Sequence, residues 1–283
     1  MLVREWIKIR DEEYSRENPP DFLTHLGYVS CFRTISEQIS ISSNLEIKNR
    51  LDKNKNLTKK INLIKLTLKS IEGEYKTILE NPDFAELCVS WISVKSYYVI
   101  FNLILILNYL MTSDKFWYNY THEKLNKWFK EYLSSGKIKF NKNLFNTNFE
   151  CCKIKKIPVK VGSNIKVYNI DLSERICQIL KKILSYQIED LKRKNNIENF
   201  KSIKNRQIRD NFLKNNNVNI CEFFYWYRIK ANYRDLEFLN KNIDSKKFAD
   251  FYKNYFDMTI NFYDAFKKLI NNLSMKRFGE AIL

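Results

Sequence analysis

The chain has 283 residues and a formal net charge of +17, from 49 Lys and Arg against 32 Asp and Glu, so a polyanion is the default partner. Only 5 Gly and 4 Pro leave little turn material for a many-stranded sandwich or barrel, yet the length can bury a sizeable core without covalent staples. Six cysteines in no C-x-x-C arrangement, beside 2 histidines, argue against a zinc site or any other metal centre and fit reduced thiols in the cytoplasm.

Met1 to Arg10 carries charges throughout, which is no signal-peptide pattern. Pro19, Pro20 and Asp21 open a predicted helix whose Phe22, Leu26, Val29, Phe32, Ile35 and Ile39 recur every three or four positions. His25 lies inside it with no second ligand-type residue one turn on, and reads as a packed or surface imidazole. From Leu57, the residues Ile61, Ile64, Leu68, Ile71, Tyr75 and Ile78 alternate spacings of four and three. That seam at 57–78 packs along another helix, either in the same bundle or in a partner protein. These helices make up an N-terminal helical section, residues 1–80.

The central helix spans Asp83 to Thr112, with Asn81 and Pro82 as start signals and Asp83 with Glu86 as a capping-box pair. Apolar side chains cover nearly its whole circumference from Tyr97 to Met111, as in a helix surrounded by others. Lys95, Ser96, Asn102 and Asn108 interrupt the run, leaving roughly fifteen apolar residues where a bilayer asks for about twenty, so no membrane span is expected. Thr121 caps the next helix, with His122 at its start and Gly136 at its close.

Between Phe149 and Asp171 alternating Ile, Val and Lys around Gly162, Ser163 and Asn164 read as a short β-hairpin, the chain's only strand-like signal. A helix follows from Asp171. Lys192 to Asn217 reads as a polar segment whose low apolar content argues against a core of its own. Residues 137–160 hold seven Lys against Glu150, and 192–214 hold eight Lys or Arg against Glu198 and Asp210, together roughly +12 of the total. The candidate phosphate contacts are Lys153, Lys155, Lys156, Lys160, Lys192, Arg193, Lys194, Lys204, Arg206 and Arg209. Phe140, Phe149, Phe200 and Phe212 are interleaved there and could stack on unpaired bases or anchor a loop.

A helix from Asn219 to Leu239 turns Phe223, Phe224, Tyr227, Ala231 and Phe238 inward and carries Arg228, Asn232 and Asp235 on another face, where Arg228 either receives a phosphate or pairs with Asp235 to buttress the bundle with Tyr233 beside it. The last helix, from Ser245 to Leu273, bears a stripe of Phe248, Tyr252, Tyr255, Phe262, Phe266 and Leu269, suited to core or dimer contact.

SVKSYYVIFNLILILNYL in the central helix, THEKLNKWFKEYLSSGKIKFNKNLFN from Thr121 and EFFYWYRIKANYRDLEFL from Glu222 together resemble the HEPN superfamily of all-helical bundles. The resemblance covers Asn81 to Asn146 and Ile220 to about Leu273. It implies an all-α fold: a HEPN-like helical bundle over residues 81–283, interrupted at about 147–217 by a basic insertion containing the hairpin, with the N-terminal helical section packed on it. It also implies RNA as partner, a homodimer, no cofactor, and a setting in antiviral defence, CRISPR-associated or toxin–antitoxin systems.

Catalytic HEPN ribonucleases follow an Arg, four to six residues on, with a His on the same helix, and two protomers bring their pairs to one phosphodiester. A guanidinium suits the phosphate because it stays charged and donates in a fork, and an imidazole suits proton transfer. Here the run is Arg228-Ile-Lys-Ala-Asn232-Tyr233, with a phenol where that His would stand. The expectation is therefore a non-catalytic or weakly catalytic RNA-binding protein. The alternatives are a metal-independent endoribonuclease using Arg228 with Asn232, Tyr233 or His122, and a scaffold subunit.

Overall fold

The computed structural model describes residues 22–47, 49–51, 54–142, 146–148, 172–229, 231 and 244–283. Among them are eight α-helices: α1 (Phe22–Ser36), α2 (Lys55–Glu80), α3 (Phe84–Thr112), α4 (His122–Ser134), α5 (Leu172–Lys194), α6 (Ile203–Asn215), α7 (Glu222–Ile229) and α8 (Ser245–Phe278). The four strands are three residues each: β1 (Ile41–Ser43), β2 (Ile138–Phe140), β3 (Asn146–Asn148) and β4 (Asn217–Asn219). The class is all-α. The chain divides into two compact units, one of Met1–Pro19 with Asn143–Ile220 and one of Pro20–Lys142 with Cys221–Leu283.

In the larger unit α3 is the spine, packed against α2, α4, α7 and α8. Every residue from Asn102 to Met111 is buried, as a helix enclosed on all sides requires. Length and composition alone would let α3 cross a membrane, but 72% of its most apolar stretch is buried within the fold. Its start differs from the capping box expected of Asp83 and Glu86. Asp83 has helical backbone angles and no side-chain capping bond, while Asn81 Oδ1 accepts from Asp83 N at 3.3 Å. The amides of Phe84, Ala85 and Glu86 donate to the carbonyls of Asn81, Pro82 and Asp83, which leaves the Asp83 side chain nothing to cap there.

The α2 seam is used inside the unit. Leu57, Ile64, Ile71 and Ile78, each seven residues from the next, are buried where α2 meets α3 and α8. On α8, Phe248, Tyr252, Tyr255, Phe262, Phe266 and Leu269 are all core. An aromatic cluster joins α1, α7 and α8: Phe32 stacks on Phe223 at 3.8 Å, and Phe224 meets Phe262 edge-on at 5.0 Å. Full burial of each such ring contributes about 1.5–3 kcal/mol. His25 is one of the packed residues, its Nδ1 3.0 Å from the Tyr227 hydroxyl. Gly136 closes α4 at φ +70°, a backbone that glycine adopts without strain.

Strand pairing is where the fold departs most from the pattern in the sequence. The hairpin expected around Gly162 lies outside the described residues. The described strands are pairs remote in sequence: β1 antiparallel to β2, with Ile41 opposite Phe140, and β3 antiparallel to β4, with Asn146 opposite Asn219. Three-residue strands carry too short a period to signal themselves.

The smaller unit also corrects the expectation of a coreless segment after Lys192. Ile197, Phe200 and Leu213 are buried there, and Ser202 caps α6 by accepting from Asn205 N at 3.2 Å. In the same unit α5 has Ile176, Ile179, Leu180, Ile183 and Leu184 all buried.

Candidate functional site

Three helices of the larger unit bring one cluster together. Along α3, Tyr97, Tyr98 and Phe101 stand at i, i+1 and i+4, so Tyr97 and Phe101 share a face. His122 is the first residue of α4, held there by Thr121, whose Oγ1 accepts from Lys124 N at 3.2 Å. Tyr225 and Arg228 stand one turn apart on α7. The start of α7 is tied to α4 through buried Glu222, which accepts from Lys130 Nζ at 2.9 Å and Asn126 Nδ2 at 3.4 Å. That tie sets where Arg228 stands relative to His122.

The Arg228 guanidinium carbon lies 5.1 Å from the Tyr97 ring centre and 5.5 Å from that of Tyr98, a cation over two aromatic faces. Its Nε is buried without an acceptor, and Arg228 makes no ion pair among the described residues. The Tyr97 hydroxyl is 2.5 Å from His122 Nδ1, and the imidazole packs against Phe101 at 4.4 Å. Tyr225 meets the Tyr97 ring at 5.6 Å.

Burial, and then the positive charge of Arg228, hold the His122 pKa below its usual value. Burial, opposed in part by Arg228, drives the Tyr97 phenol far up. Above the ordinary range of a histidine the site therefore holds a neutral imidazole, an un-ionised phenol and a guanidinium, which keeps its charge. Tyr97 engages Nδ1, so Nε2 is the ring nitrogen left to give or take a proton. Among the described residues no group of His, Cys, Asp and Glu could hold a metal ion. The arrangement can seat an oxyanion on Arg228 and exchange a proton at His122.

The residues picked from sequence divide sharply. Arg228 and His122, 106 positions apart, are brought together. Asn232, Tyr233 and Asp235 lie outside the described residues, as do Lys153, Lys155, Lys156 and Lys160. In the smaller unit Lys192 pairs with Glu189 at 3.2 Å and Arg193 with Asp190. Arg206 is exposed and donates to the Lys201 carbonyl at 2.7 Å, and Lys194 and Lys204 are exposed.

Arg209 stands apart from these. It is 7% exposed, lies 5.5 Å from the Phe200 ring centre and pairs with Asp210 at 2.7 Å, so its charge already has a partner within the fold. Phe200, expected as a stacking or anchoring aromatic, is buried and anchors. Sequence reasoning missed Tyr97, Tyr98, Phe101 and Tyr225 as members of the site. The doubled tyrosine with Phe101 one turn on, and Tyr225 one turn before Arg228, were the available signals.

No protein-family model matches the chain, and neither does any curated protein or solved structure.

Proposed function

We propose that the protein binds RNA, with Arg228 as the seat of a phosphodiester and Tyr97, Tyr98 and His122 as its walls. The observation that carries this reading is a guanidinium held on two tyrosine faces, with a buried Nε lacking an acceptor and no carboxylate paired to it among the described residues. A phosphate supplies the counter-charge that the guanidinium lacks. A net charge of +17 raises the local concentration of any nucleic acid. The resemblance to HEPN bundles adds RNA over DNA, a homodimer and a cytoplasmic defence, CRISPR-associated or toxin–antitoxin setting by analogy alone.

Anisotropy titration of labelled single-stranded RNA tests this reading. Arg228→Ala is expected to weaken binding about tenfold, roughly 1.4 kcal/mol, with Arg228→Lys restoring only part of it. Undiminished affinity in Arg228→Ala, with the variant folded by circular dichroism, removes the reading.

One observation favours a second reading, metal-independent cleavage of the bound RNA. The helix of Arg228 lacks a histidine, and His122 of α4 would take that part: it bonds the hydroxyl of Tyr97, over whose ring Arg228 lies. In that reaction the ribose 2′-oxygen bonds to the adjacent phosphorus and its proton passes to His122. The bond from phosphorus to the 5′-oxygen breaks, and that oxygen takes a proton back from the imidazolium. The products are a 2′,3′-cyclic phosphate and a 5′-hydroxyl. Cleavage should persist in EDTA and fall about a hundredfold or more in His122→Ala, a loss well beyond that in RNA affinity. RNA left intact at high protein concentration, with binding retained, leaves only the binding function.

A further inference from the structure

Beside the phosphate seat, α3 carries large apolar side chains on its exposed side. Leu87 is 70% exposed, Trp91 57% and Tyr98 37%, whereas Trp117, Trp128 and Trp226 are all nearly buried. Trp91 makes no ring contact with any described residue. It precedes Tyr98 by seven residues, two helical turns, which puts the two rings on the same side of α3 about 10 Å apart. One end of this stripe is the tyrosine on which Arg228 rests. Between the rings Lys95 donates to Ser70 Oγ at 3.0 Å and pairs with Glu74, so the local acid is neutralised.

We propose that this side of α3 is a stacking track for single-stranded nucleic acid, with a phosphate on Arg228 and unpaired bases on Tyr98 and Trp91. The proposal rests on the reading of Arg228 as a phosphate seat and adds which form of nucleic acid the seat accepts. Exposed aromatic rings offer nothing to a phosphate backbone, but each can take the flat face of a base, at about 1–3 kcal/mol per base. A duplex buries those faces in its own stack and cannot use them. An apolar protein surface fits the stripe less well, because it would enclose Arg228 without a counter-ion, which is costly. A polynucleotide brings the anion and the planar apolar faces together.

The test combines tryptophan emission and anisotropy, using a short oligouridylate, an RNA duplex of the same length and inorganic tripolyphosphate as probes. The single strand is expected to bind tightest and to quench emission. Trp91→Leu should abolish most of the quenching and weaken binding about fivefold or more, as should Tyr98→Leu. Neither substitution should alter the salt slope, since neither removes a charge. Trp91 is exposed, so its variant should melt like the parent. Duplex or tripolyphosphate binding as tightly as the single strand overturns the track, as does Trp91→Leu leaving the affinity unchanged. If Arg228→Ala still weakens binding in those cases, the phosphate seat stands while the track falls. No binding of any probe removes the seat itself. Emission that shifts with protein concentration in the absence of RNA would make the stripe a contact between copies, which also overturns the proposal.

Discussion

Arg209 in the smaller unit and Arg228 in the larger one are guanidinium groups at nearly the same distance from an aromatic ring, 5.5 Å from Phe200 and 5.1 Å from Tyr97. Arg209 is buried and shares its charge with the adjacent Asp210. Arg228 has two rings and no carboxylate among the described residues. The same residue type on the same kind of surface is structural in one place and available in the other, and the neighbouring anion decides which. Lys192 with Glu189 and Arg193 with Asp190 stand between these extremes. Arg193 and Asp190 are both exposed, a pair worth about 0–1 kcal/mol, which a phosphate can displace at little cost. Available charge is thus the quantity that matters for a polyanion, and counting basic residues does not measure it.

The largest expected effect lies at Glu222, which anchors the helix that carries Arg228. Its carboxylate is buried against Lys130 and Asn126, and Glu222→Ala removes that buried ion pair and hydrogen bond. A loss of about 2–3 kcal/mol in urea unfolding is expected, together with weaker RNA binding as α7 loosens. A variant as stable as the parent would mean that Arg228 is positioned by packing alone.

The next effect sharpens the comparison directly. Asp210→Ala leaves Arg209 buried and unpaired, at a cost of about 1–2 kcal/mol in the same assay. Arg209→Met keeps the length and the contact with Phe200, and its stability should stay within about 1 kcal/mol of the parent. Its affinity for RNA should change less than twofold, where Arg228→Ala costs about tenfold. Equal losses of affinity in the two arginine variants would erase the distinction drawn here.

Most of the helices were legible because α2, α3 and α8 are long and strongly periodic, and long periodic segments declare both their type and their buried face. Arg228 and His122 were both legible as candidates for a site, but their contacts were not, because the partners of His122, Tyr97 and Arg228, lie 25 and 106 positions away. The paired strands were illegible for the same reason, since β1 and β2 are three residues each and far apart in the chain. In the stretch after Lys192, apolar content misled: it is low, yet Ile197, Phe200 and Leu213 are buried. Arg209 pairs with Asp210 beside it, and a sum of charges along the chain does not say which of its members are paired in this way.

The smallest expected effect concerns His122. Its pKa in the folded chain lies below the unfolded value of about 6.5, through burial first and the charge of Arg228 second. Above the unfolded pKa neither state binds the proton, and this histidine costs the fold nothing. As pH falls through that value the unfolded chain takes up the proton first, so stability declines until the folded pKa is reached and both states are protonated. Urea midpoints followed downward from neutral pH should therefore fall more steeply in the parent than in His122→Gln, which has no proton to bind. Arg228→Ala removes one of the two causes and should shrink the slope without abolishing it. The outcome that defeats this account is an identical pH profile in all three proteins, because the imidazole would then be neither enclosed by Tyr97 and Phe101 nor within the field of the guanidinium.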